Sequence, residues 1–383
     1  MRKYFTTKTL ATLLCFCATF TSYGQQQQAE ARIDSVMKQY AMPGLSVAVV
    51  KKGEMIYTHA FGVKNIENNT ALQREDIFRI ASISKSFSAT SVMQLLQAKK
   101  LSLDDDVSKL VGFEVRNPKF PGTVITLKML MSHTSSLNDK QGYFTLDVIN
   151  PAKTGDAAKC YNNYEPGTGY EYCNLNYNMV GTIIERVSGQ RFDKYVKTHI
   201  LDPLALYGGY EVGALDASKF VTLYEYDSAT QKLNAAPNAY NPRTDEISHY
   251  EMGYSTPIFS PTGGMKISAP DLAKYMTMHM CYGKYNGTRI ISKRSAKTMQ
   301  TKVSDGEGGY GLAIMTTDKI IPGKIMKGHT GSAYGLYSMM FFQPKEKFGI
   351  VVITNGCNVT HYDDFNPALK AAVNVLYEEM IKQ

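Results

Sequence analysis

The sequence has 383 residues, 44% of them hydrophobic and 20% charged, which is the composition of a folded globular protein. Its 42 basic and 34 acidic residues give a net charge of +8, but the basic residues are scattered and form no stripe, which argues against a nucleic-acid partner. No CxxC pair or cluster of histidine and cysteine indicates a metal site, and no cofactor is expected.

The first 24 residues are typical of a secretory signal peptide. Three basic residues precede an apolar run at 10–20 that is too short to span a membrane as a helix. The small residues Ser22 and Gly24 stand at suitable offsets for cleavage before Gln25. Loss of 1–24 removes three positive charges and lowers the net charge from +8 to +5. We therefore predict an exported protein, periplasmic or secreted, with no membrane-spanning segment in its mature part.

Four cysteines remain after removal of the predicted signal peptide. An oxidising compartment permits disulfides, and four cysteines allow three full pairings, among which the sequence does not choose. The residues concerned are Cys160, Cys173, Cys281 and Cys357. The sequence also leaves lipid anchoring and the oligomeric state open.

The predicted elements change in kind along the mature chain. A polar run at 25–28, predicted to be disordered, precedes an amphipathic helix at 29–40 and a hairpin of β-rich segments at 45–50 and 55–63. A segment at 78–83 leads into a helix at 84–99. The middle is rich in helices and loops, with helices predicted from 127 to near 132–134 and at 174–188, 192–200 and 271–280. Strands return at 309–316, 325–329, 336–342 and 349–354, and a helix at 365–382 closes the chain.

Strands at both ends around a helical middle predict the fold class. We expect an α/β fold in which one antiparallel sheet is built from both chain ends and flanked by helices, with a mostly helical inserted region. The domain after the signal peptide is predicted to cover 25–383. Its sheet region takes about 29–80 and 255–383, and its helical region about 84–254.

A serine and a lysine stand three residues apart where a β-like segment meets a helix. Residues i and i+3 share one helix face, so Lys85 can reach the Ser82 hydroxyl near the helix N-terminus, which favours negative charge. A serine is a poor nucleophile until a neighbour removes its proton, which a lysine of lowered pKa can do. A second copy, Ser35 with Lys38, lies inside the first amphipathic helix and is interpreted as a solvated face. A helix cap remains the alternative role for Ser82.

A tyrosine and an asparagine precede the helix predicted at 174–188. Tyr172 lies in an extended stretch and is a candidate phenolate base. Asn174, two residues on, projects to the same side and offers an amide to a substrate. A core tyrosine beside a capping asparagine is the alternative. Another Tyr-x-Asn, starting at Tyr161, is interpreted as a chance copy in a polar loop.

The third element has two candidates. A Lys-Thr-Gly string begins at Lys153, but it lies in a polar, loop-like region before the tyrosine. His329-Thr330-Gly331 lies between two strand-like segments and is followed by small residues, which let a substrate backbone approach closely. We favour His329, and a surface β-turn is the alternative. His133, in a His-Thr-Ser string, is predicted to serve as a cap or turn residue.

With these three motifs in order, the chain resembles the serine β-lactamase and penicillin-binding-protein superfamily, in its class C-like branch. The branch includes class C β-lactamases, D-alanyl-D-alanine carboxypeptidases, D-aminopeptidases and esterases. The resemblance covers nearly all of the mature chain and extends to the family's L-x-S-H-T-S-G-L segment, its Pro-Gly approach to the tyrosine, and its Gly-Gly turn followed by a capped helix. The matching segments are 130–137, 165–167, 263–265 and 268–272.

The resemblance implies a β-lactamase/transpeptidase-like fold and a role for each motif residue. Ser82 would be acylated, Lys85 and Tyr172 would move its proton, and Asn174 would bind a substrate amide or orient the lysine. The strand at His329, Thr330 and Gly331 would flank the cleft. The backbone N–H groups of Ser82 and Ser332 would form the oxyanion hole.

The chain departs from the family pattern at the third motif. His329 stands where class C β-lactamases have lysine, and a neutral imidazole attracts a substrate carboxylate less, which moves the prediction toward peptidases and esterases. We therefore predict an exported serine hydrolase acting through an acyl-enzyme on an amide or peptide bond, including one with a D-amino acid. A carboxylesterase or class C-like β-lactamase is the alternative, and a penicillin-binding acyl receptor without turnover is the third. The substrate is a small molecule or peptide.

Overall fold

The computed structural model describes residues 8–359, 361, 362 and 364–382, and for 8–23 and 307 it describes the backbone alone. Of the predicted signal peptide, residues 1–7 lie outside the described residues, and 8–23 are described by their backbone alone. Within the described part of the chain, no helix combines the length and the apolar character needed to cross a bilayer.

The first helix, α1, covers Lys8–Gln39. The prediction of disorder at 25–28 is wrong, because these glutamines continue this helix. Glutamine is a good helix former, and Gln26 Nε2 donates to Glu30 Oε1 at 3.0 Å one turn later.

The strands confirm an antiparallel sheet assembled from both chain ends. Seven strands of the described chain follow the order β11-β12-β13-β14-β1-β2-β3, so a C-terminal strand pairs with the N-terminal β1 at the centre. Two further hairpins, β6-β7 and β9-β10, and a small sheet β4-β8-β5 complete the set. The strands are β1 (Gly44–Lys51), β2 (Glu54–Asn65), β3 (Thr70–Ala71), β4 (Phe78–Arg79), β5 (Gly208–Gly209), β6 (Tyr224–Asp227), β7 (Lys232–Ala235), β8 (Lys266–Ile267), β9 (Lys284–Tyr285), β10 (Thr288–Arg289), β11 (Met315–Thr317), β12 (Met326–Ala333), β13 (Leu336–Gln343) and β14 (Phe348–Thr354).

Helices cover both faces of the large sheet and fill the middle of the chain. They are α2 (Ser84–Gln97), α3 (Val107–Val111), α4 (Leu127–Met131), α5 (Asn174–Ser188), α6 (Phe192–Val196), α7 (Thr244–Ser248), α8 (Ala269–Met280), α9 (Lys293–Met299) and α10 (Pro367–Leu376). Strand β1 shows how the two faces divide. Val47 and Val49 belong to the core layer beneath α1 and α10, whereas Ala48 and Val50 belong to the layer beneath α8. This alternation of buried side chains is expected for a strand covered on both sides.

The helix that carries Lys85 is buried although it is rich in serine. Within α2, short hydroxyl side chains donate to carbonyl oxygens one turn back: Ser86 Oγ to Ile83 at 2.7 Å and Thr90 Oγ1 to Ser86 at 2.8 Å. A buried hydroxyl is costly only when it lacks a partner, so these bonds let a polar helix run through the core between α5 and α8.

The predicted strand at 309–316 is largely wrong. Only Met315–Thr317 forms a strand, β11, and the residues before it turn. The Gly311 N–H donates to the carbonyl of Ile314 at 2.9 Å, and Ala313 has φ +59°, so the backbone reverses where the pattern indicated extension. Glycines at 309 and 311 gave the chain this freedom.

Candidate active site

Ser82 lies in a tight turn between β4 and α2. One turn of 3₁₀ helix, Ala81–Ile83, joins the two elements, and Ala81 adopts φ +48°, a left-handed conformation that a residue with a Cβ rarely takes. Two hydrogen bonds to Met265 hold the turn. The Ile80 N–H donates to the Met265 carbonyl at 2.9 Å, and the Met265 N–H donates to Ser84 Oγ at 3.0 Å. Strained backbone of this kind persists where the surroundings over-determine it.

Lys85 lies beneath Ser82 and is completely buried. Its Nζ contacts three oxygens: Ser82 Oγ at 3.0 Å, Asn174 Oδ1 at 2.8 Å and the carbonyl of Thr262 at 3.0 Å. The i, i+3 spacing on the helix thus brings the amine to the hydroxyl, as the sequence predicted. These three oxygens are uncharged, so the amine sits among neutral acceptors with its nitrogen directed at the serine.

The turn that supplies the Thr262 carbonyl is the Gly-Gly segment noted in the sequence. The N–H groups of Gly263 and Gly264 both donate to the carbonyl of Ser260, at 2.9 and 2.6 Å. A Cβ on Gly264 would lie 2.0 Å from the carbonyl oxygen of Phe259, so only glycine allows the turn to close. Thr262 itself was not predicted as a site residue, although it directly precedes the two glycines.

Asp139, which was not predicted as a site residue, anchors the segment that contains Asn174. Its carboxylate accepts the backbone N–H groups of Asn174 and Leu175 at 2.8 and 3.0 Å, and the Asn174 Nδ2 at 2.9 Å. The carboxylate therefore caps the first turn of α5 and fixes the amide so that Oδ1 faces Lys85. The Cys173 thiol also donates to it at 3.2 Å, and burial raises the pKa of that thiol well above its usual value.

The cysteines remain thiols. All four in the described chain are free, and three of them are buried. No disulfide therefore contributes to the position of the site in the described residues.

Tyr172 lies in the extended stretch before α5 and lines the same cleft as Ser82. The Lys85 Nζ is 4.8 Å from the centre of its ring, and the ring of His133 packs against it at 4.3 Å. The predicted proximity of serine, lysine and tyrosine is thus present in the structure.

His133 has a structural place behind Tyr172. It adopts φ +58°, and its Nδ1 accepts the N–H of Cys173 at 3.2 Å. Burial, together with the charge of Lys85, holds the pKa of this imidazole well below its usual value, so it is neutral. These contacts agree with the predicted turn role and explain why a histidine next to the site need not act on the substrate.

His329 lies inside β12 and not between two strands, because β12 runs unbroken through Ala333. The interpretation of the motif as a junction is therefore wrong, and the chain turns only at Tyr334 and Gly335. A Cβ on Gly331 would lie 2.2 Å from the carbonyl oxygen of Ile80. The glycine therefore lets β12 pass directly beside the turn that carries Ser82.

The His329 imidazole is 1% exposed and engaged on both nitrogens. Its Nδ1 is 2.6 Å from the carbonyl of Thr330, and its Nε2 is 2.9 Å from the Tyr310 hydroxyl. A carbonyl only accepts, so Nδ1 carries the proton and Nε2 accepts from the tyrosine. Burial, with the nearby charge of Lys85, lowers the pKa of His329 to about 3.

A titration follows from this environment. The folded pKa lies below the unfolded value of about 6.5, so His329 stays neutral from about pH 8 down to about pH 4. Its contribution to stability is complete above pH 6.5 and is lost as the pH falls toward 3, because only the unfolded chain gains the proton. Nitrogen-15 NMR of labelled histidines, assigned with His329→Gln, should show a fixed neutral tautomer over that range. A midpoint near pH 6.5 for this residue would contradict the assignment.

The other copies of the motifs lie away from the cleft. Ser35 and Lys38 are on the exposed face of α1, where Ser35 Oγ donates to the carbonyl of Ala31 at 3.0 Å. Lys153 is exposed in a loop. These positions favour the choice of Ser82 and His329 made from the sequence.

A cleft of about 580 Å³ lies over Ser82. Seven of the eight predicted site residues line it, and the eighth, Lys85, is reached through its contact with Ser82. The seven are Ser82, Tyr172, Asn174, His329, Thr330, Gly331 and Ser332. Further lining residues were not predicted, among them Arg79, Thr262 and Tyr334.

A sequence model of the beta-lactamase family matches residues 29–374, so the chain belongs to the beta-lactamase family, a family of serine hydrolases. Among curated relatives, Protein flp of Staphylococcus aureus (strain MRSA252) is 25% identical over 350 residues, which are 86% of this chain and 63% of the relative. The chain thus spans less than two thirds of that protein's length. Penicillin-binding protein 4 of Amycolatopsis lactamdurans is 28% identical over 349 residues, 87% of this chain and 86% of the relative.

Solved structures share the fold. The octameric penicillin-binding protein homologue from Pyrococcus abyssi superimposes with a TM-score of 0.72 and 27% identity, over 92% of this chain and 78% of its own. The D-amino acid amidase from Ochrobactrum anthropi SV3 superimposes with a TM-score of 0.71 and 18% identity, over 93% of this chain and 99% of its own. The D-alanine carboxypeptidase AmpC from Burkholderia cenocepacia superimposes with a TM-score of 0.68 and 20% identity, over 93% of this chain and 99% of its own. The last two likenesses concern the fold alone.

Proposed function

We propose that this protein is an exported serine hydrolase that cleaves an amide or peptide bond through an acyl-enzyme, including bonds to D-amino acids. The observation that carries the proposal is the 3.0 Å contact between Ser82 Oγ and the buried Lys85 Nζ at the base of an open cleft. A hydroxyl beside an amine, with a phenol ring 4.8 Å from that amine, is a nucleophile beside the groups that move its proton.

The proposed reaction has two steps. Ser82 Oγ attacks the substrate carbonyl carbon, its proton passes to the Lys85 and Tyr172 pair, and the N–H groups of Ser82 and Ser332 bind the oxyanion. The C–N bond then breaks, and the proton is returned to the leaving amine. In the second step a water molecule attacks the ester carbon, loses its proton to the same pair, and releases the acid and the free Ser82 hydroxyl.

Asn174 is proposed to do two things in this scheme. Its Oδ1 holds the Lys85 amine, and the residue lines the cleft, where it would meet a substrate amide. His329, neutral and buried, is proposed to support Tyr172 and the strand beside it, with Thr330 and Gly331 supplying backbone to the substrate. Since the imidazole carries no charge, it gives a substrate carboxylate no cationic partner at this end of the cleft.

The activities named for related proteins favour an amide bond as the bond cleaved. A D-amino acid amidase and a D-alanine carboxypeptidase share the fold, and two related sequences are named for penicillin binding or as Protein flp. A cleft of about 580 Å³ has the size of a site for a short peptide or a small molecule.

A substrate panel tests the proposal. Purified protein is assayed with a D-Ala-D-Ala peptide, D-amino-acid amides, p-nitrophenyl esters and a chromogenic cephalosporin, in parallel with Ser82→Ala. Turnover of a peptide or amide that Ser82→Ala lacks supports the proposal. Turnover of esters alone would assign a carboxylesterase, turnover of the cephalosporin a β-lactamase, and a stable adduct without turnover an acyl receptor.

Tyr172→Phe is expected to lower kcat about 10²-fold, because it removes the one hydroxyl of this side chain and leaves its ring packing intact. Its effect on the melting temperature should be small. Tyr161→Phe, from the other Tyr-x-Asn copy, is the matched control and should keep full activity. Unchanged kcat in Tyr172→Phe would remove the tyrosine from the mechanism.

Export is the part of the proposal that depends on 1–24. When the full chain is expressed in a bacterial host, the protein recovered from outside the cytoplasm should begin at Gln25. Recovery of an uncleaved chain from the cytoplasm would contradict export.

A further inference from the structure

Three basic side chains line a narrow cavity that lies next to the active-site cleft. The cavity holds about 20 Å³, room for a group the size of a water molecule or a carboxylate oxygen. Arg79, Phe144 and Ser260 line both the cavity and the cleft, so the two spaces share a wall. Arg243 and Lys266 line the cavity on its other sides.

Arg79 is held rigidly at the shared wall. Its Nε and Nη1 donate to the carbonyls of Gly263 and Ala239, both at 3.1 Å, and its guanidinium lies 4.9 Å from the centre of the Tyr334 ring. These described contacts are with neutral groups. Burial lowers the pKa of Arg79, but a guanidinium stays charged at neutral pH, so this cation lacks a carboxylate partner among the described residues.

Lys266 adds a second buried amine, 4% exposed. Its Nζ donates to the carbonyl of Tyr210 at 2.5 Å. Burial, and then the charges of Arg79 and Arg243, hold the pKa of Lys266 well below its usual value. Arg243 has one carboxylate contact, Glu246 at 3.8 Å, and pairs exposed to this degree contribute little.

The acidic groups near this cluster are exposed or engaged by other basic residues: Asp193, whose charge acts on Lys266, is paired with Arg191 at 2.7 Å. Glu211 lines the cavity, but its carboxylate is engaged by Arg191 at 2.5 Å and Lys194 at 3.0 Å. Glu225 lines the cleft and is exposed to solvent. Arg79 and Arg243 thus give the cavity wall an excess of positive charge. A carboxylate placed there would gain charge-assisted hydrogen bonds and would favour the charged form of Lys266.

The position of the cluster along β12 says which part of a substrate would reach it. Tyr172, the proposed donor to the leaving group, lies near His329 in the middle of β12, and the two ring centres are 6.4 Å apart. Arg79 stacks on Tyr334, just beyond the C-terminal end of the strand. The leaving group therefore occupies the His329 side, and the acyl group extends toward Arg79.

We propose that the cavity between Arg79, Arg243 and Lys266 is a subsite for a free carboxylate on the acyl part of the substrate. This inference rests on the proposed acylation of Ser82. Ser82 and Arg79 are three residues apart, so their Cα atoms are separated by at most about 11 Å, a span that an acyl chain of about five carbons suits. The substrate class is then a half-amide of a dicarboxylic acid, or a peptide whose acyl residue bears a side-chain carboxylate.

Binding to Ser82→Ala tests the subsite without turnover. Calorimetry compares N-methylglutaramate, which carries the carboxylate, with N-methylpentanamide, which is of similar length and neutral. The anion should bind about 10-fold tighter or more, the typical gain from a charge-assisted hydrogen bond. Added Arg243→Gln or Lys266→Met should reduce this preference to about 3-fold or less. Arg294→Gln, an exposed arginine on α9, is the matched control and should retain it.

The outcomes separate this inference from the proposed function. Equal binding of the two ligands, or a preference unchanged in both subsite variants, would overturn the subsite. With unmutated Ser82, hydrolysis is measured for a second anionic and neutral pair, p-nitrophenyl hemiglutarate, which carries the free carboxylate, and its methyl ester, which does not. A binding preference with no hydrolysis of either ester or amide leaves the subsite supported and refutes the hydrolase proposal, whereas hydrolysis with no preference does the reverse.

Discussion

Replacing Lys85 by methionine is expected to lower the rate of acylation about 10⁴-fold, the upper range for loss of a general acid–base group. Methionine has nearly the length of the lysine stem but leaves Ser82 Oγ without an amine at 3.0 Å. Asn174 Oδ1 and the Thr262 carbonyl lose the same donor, so the loss acts on both reactivity and geometry. Single-turnover labelling with a fluorophosphonate measures the rate, and thermal unfolding shows whether the protein is folded.

The chain supplies its own control for this substitution. Lys38→Met changes the lysine of the other Ser-x-x-Lys copy, which is exposed on α1, and should leave the acylation rate within a factor of two of the parent protein. If folded Lys85→Met reacts as fast as Lys38→Met, the lysine has no part in activating the serine.

Replacing Asp139 by alanine is expected to have the largest effect on stability among the site residues. The change leaves two backbone N–H groups of α5 and the Asn174 amide without their acceptor. Loss of several hydrogen bonds to a charged, half-buried acceptor should lower the free energy of unfolding by about 3 kcal/mol. Activity should fall as well, because Asn174 no longer holds Lys85.

Denaturant unfolding measures this loss, with two comparison variants. Asp139→Asn keeps one acceptor oxygen and should recover part of the stability. Asp156→Ala removes an exposed carboxylate whose partner is the equally exposed Lys159, and should change the free energy of unfolding by less than about 0.5 kcal/mol. Equal effects of Asp139→Ala and Asp156→Ala would show that the cap contributes nothing.

Much of the fold could be predicted because the relevant signals are local. The helix at 174–188 has the predicted bounds, since Gly189 marks its end, and the helix predicted to begin at 127 does so at its Thr126 cap and ends at Met131, just before the predicted end near 132–134. The β1-β2 hairpin follows from two β-rich segments joined by a Lys-Lys-Gly turn. The distribution of strands along the chain predicted one sheet built from both chain ends. It did not predict the strand order or the register, such as the pairing of β1 with β14.

The central part of the site was also readable, because helical spacing places Lys85 under Ser82. What the sequence concealed depends on contacts between residues distant in the chain. Asp139 precedes Asn174 by 35 positions, and Arg79 meets Gly263 across 184. Tyr310 reaches His329 only because the chain turns where a strand was predicted. None of these pairs has a local pattern.

The sequence predicted that a histidine at 329 would be neutral, and the structure supplies the cause. Complete burial and the neighbouring Lys85 lower its pKa to about 3. The positive charge that this end of the cleft lacks is found instead beyond the C-terminal end of β12, at Arg79, where the sequence offered no motif.

Covalent labelling of Ser82 is the most direct test of the account. The protein is treated with a fluorophosphonate, whose phosphorus bonds to the attacking oxygen with loss of fluoride, and the modified peptide is identified by mass spectrometry. We expect one adduct, on Ser82, which is absent in Ser82→Ala and retained in Ser35→Ala. An adduct on Ser35, or full hydrolytic activity in Ser82→Ala, would contradict the assignment of Ser82 as the nucleophile.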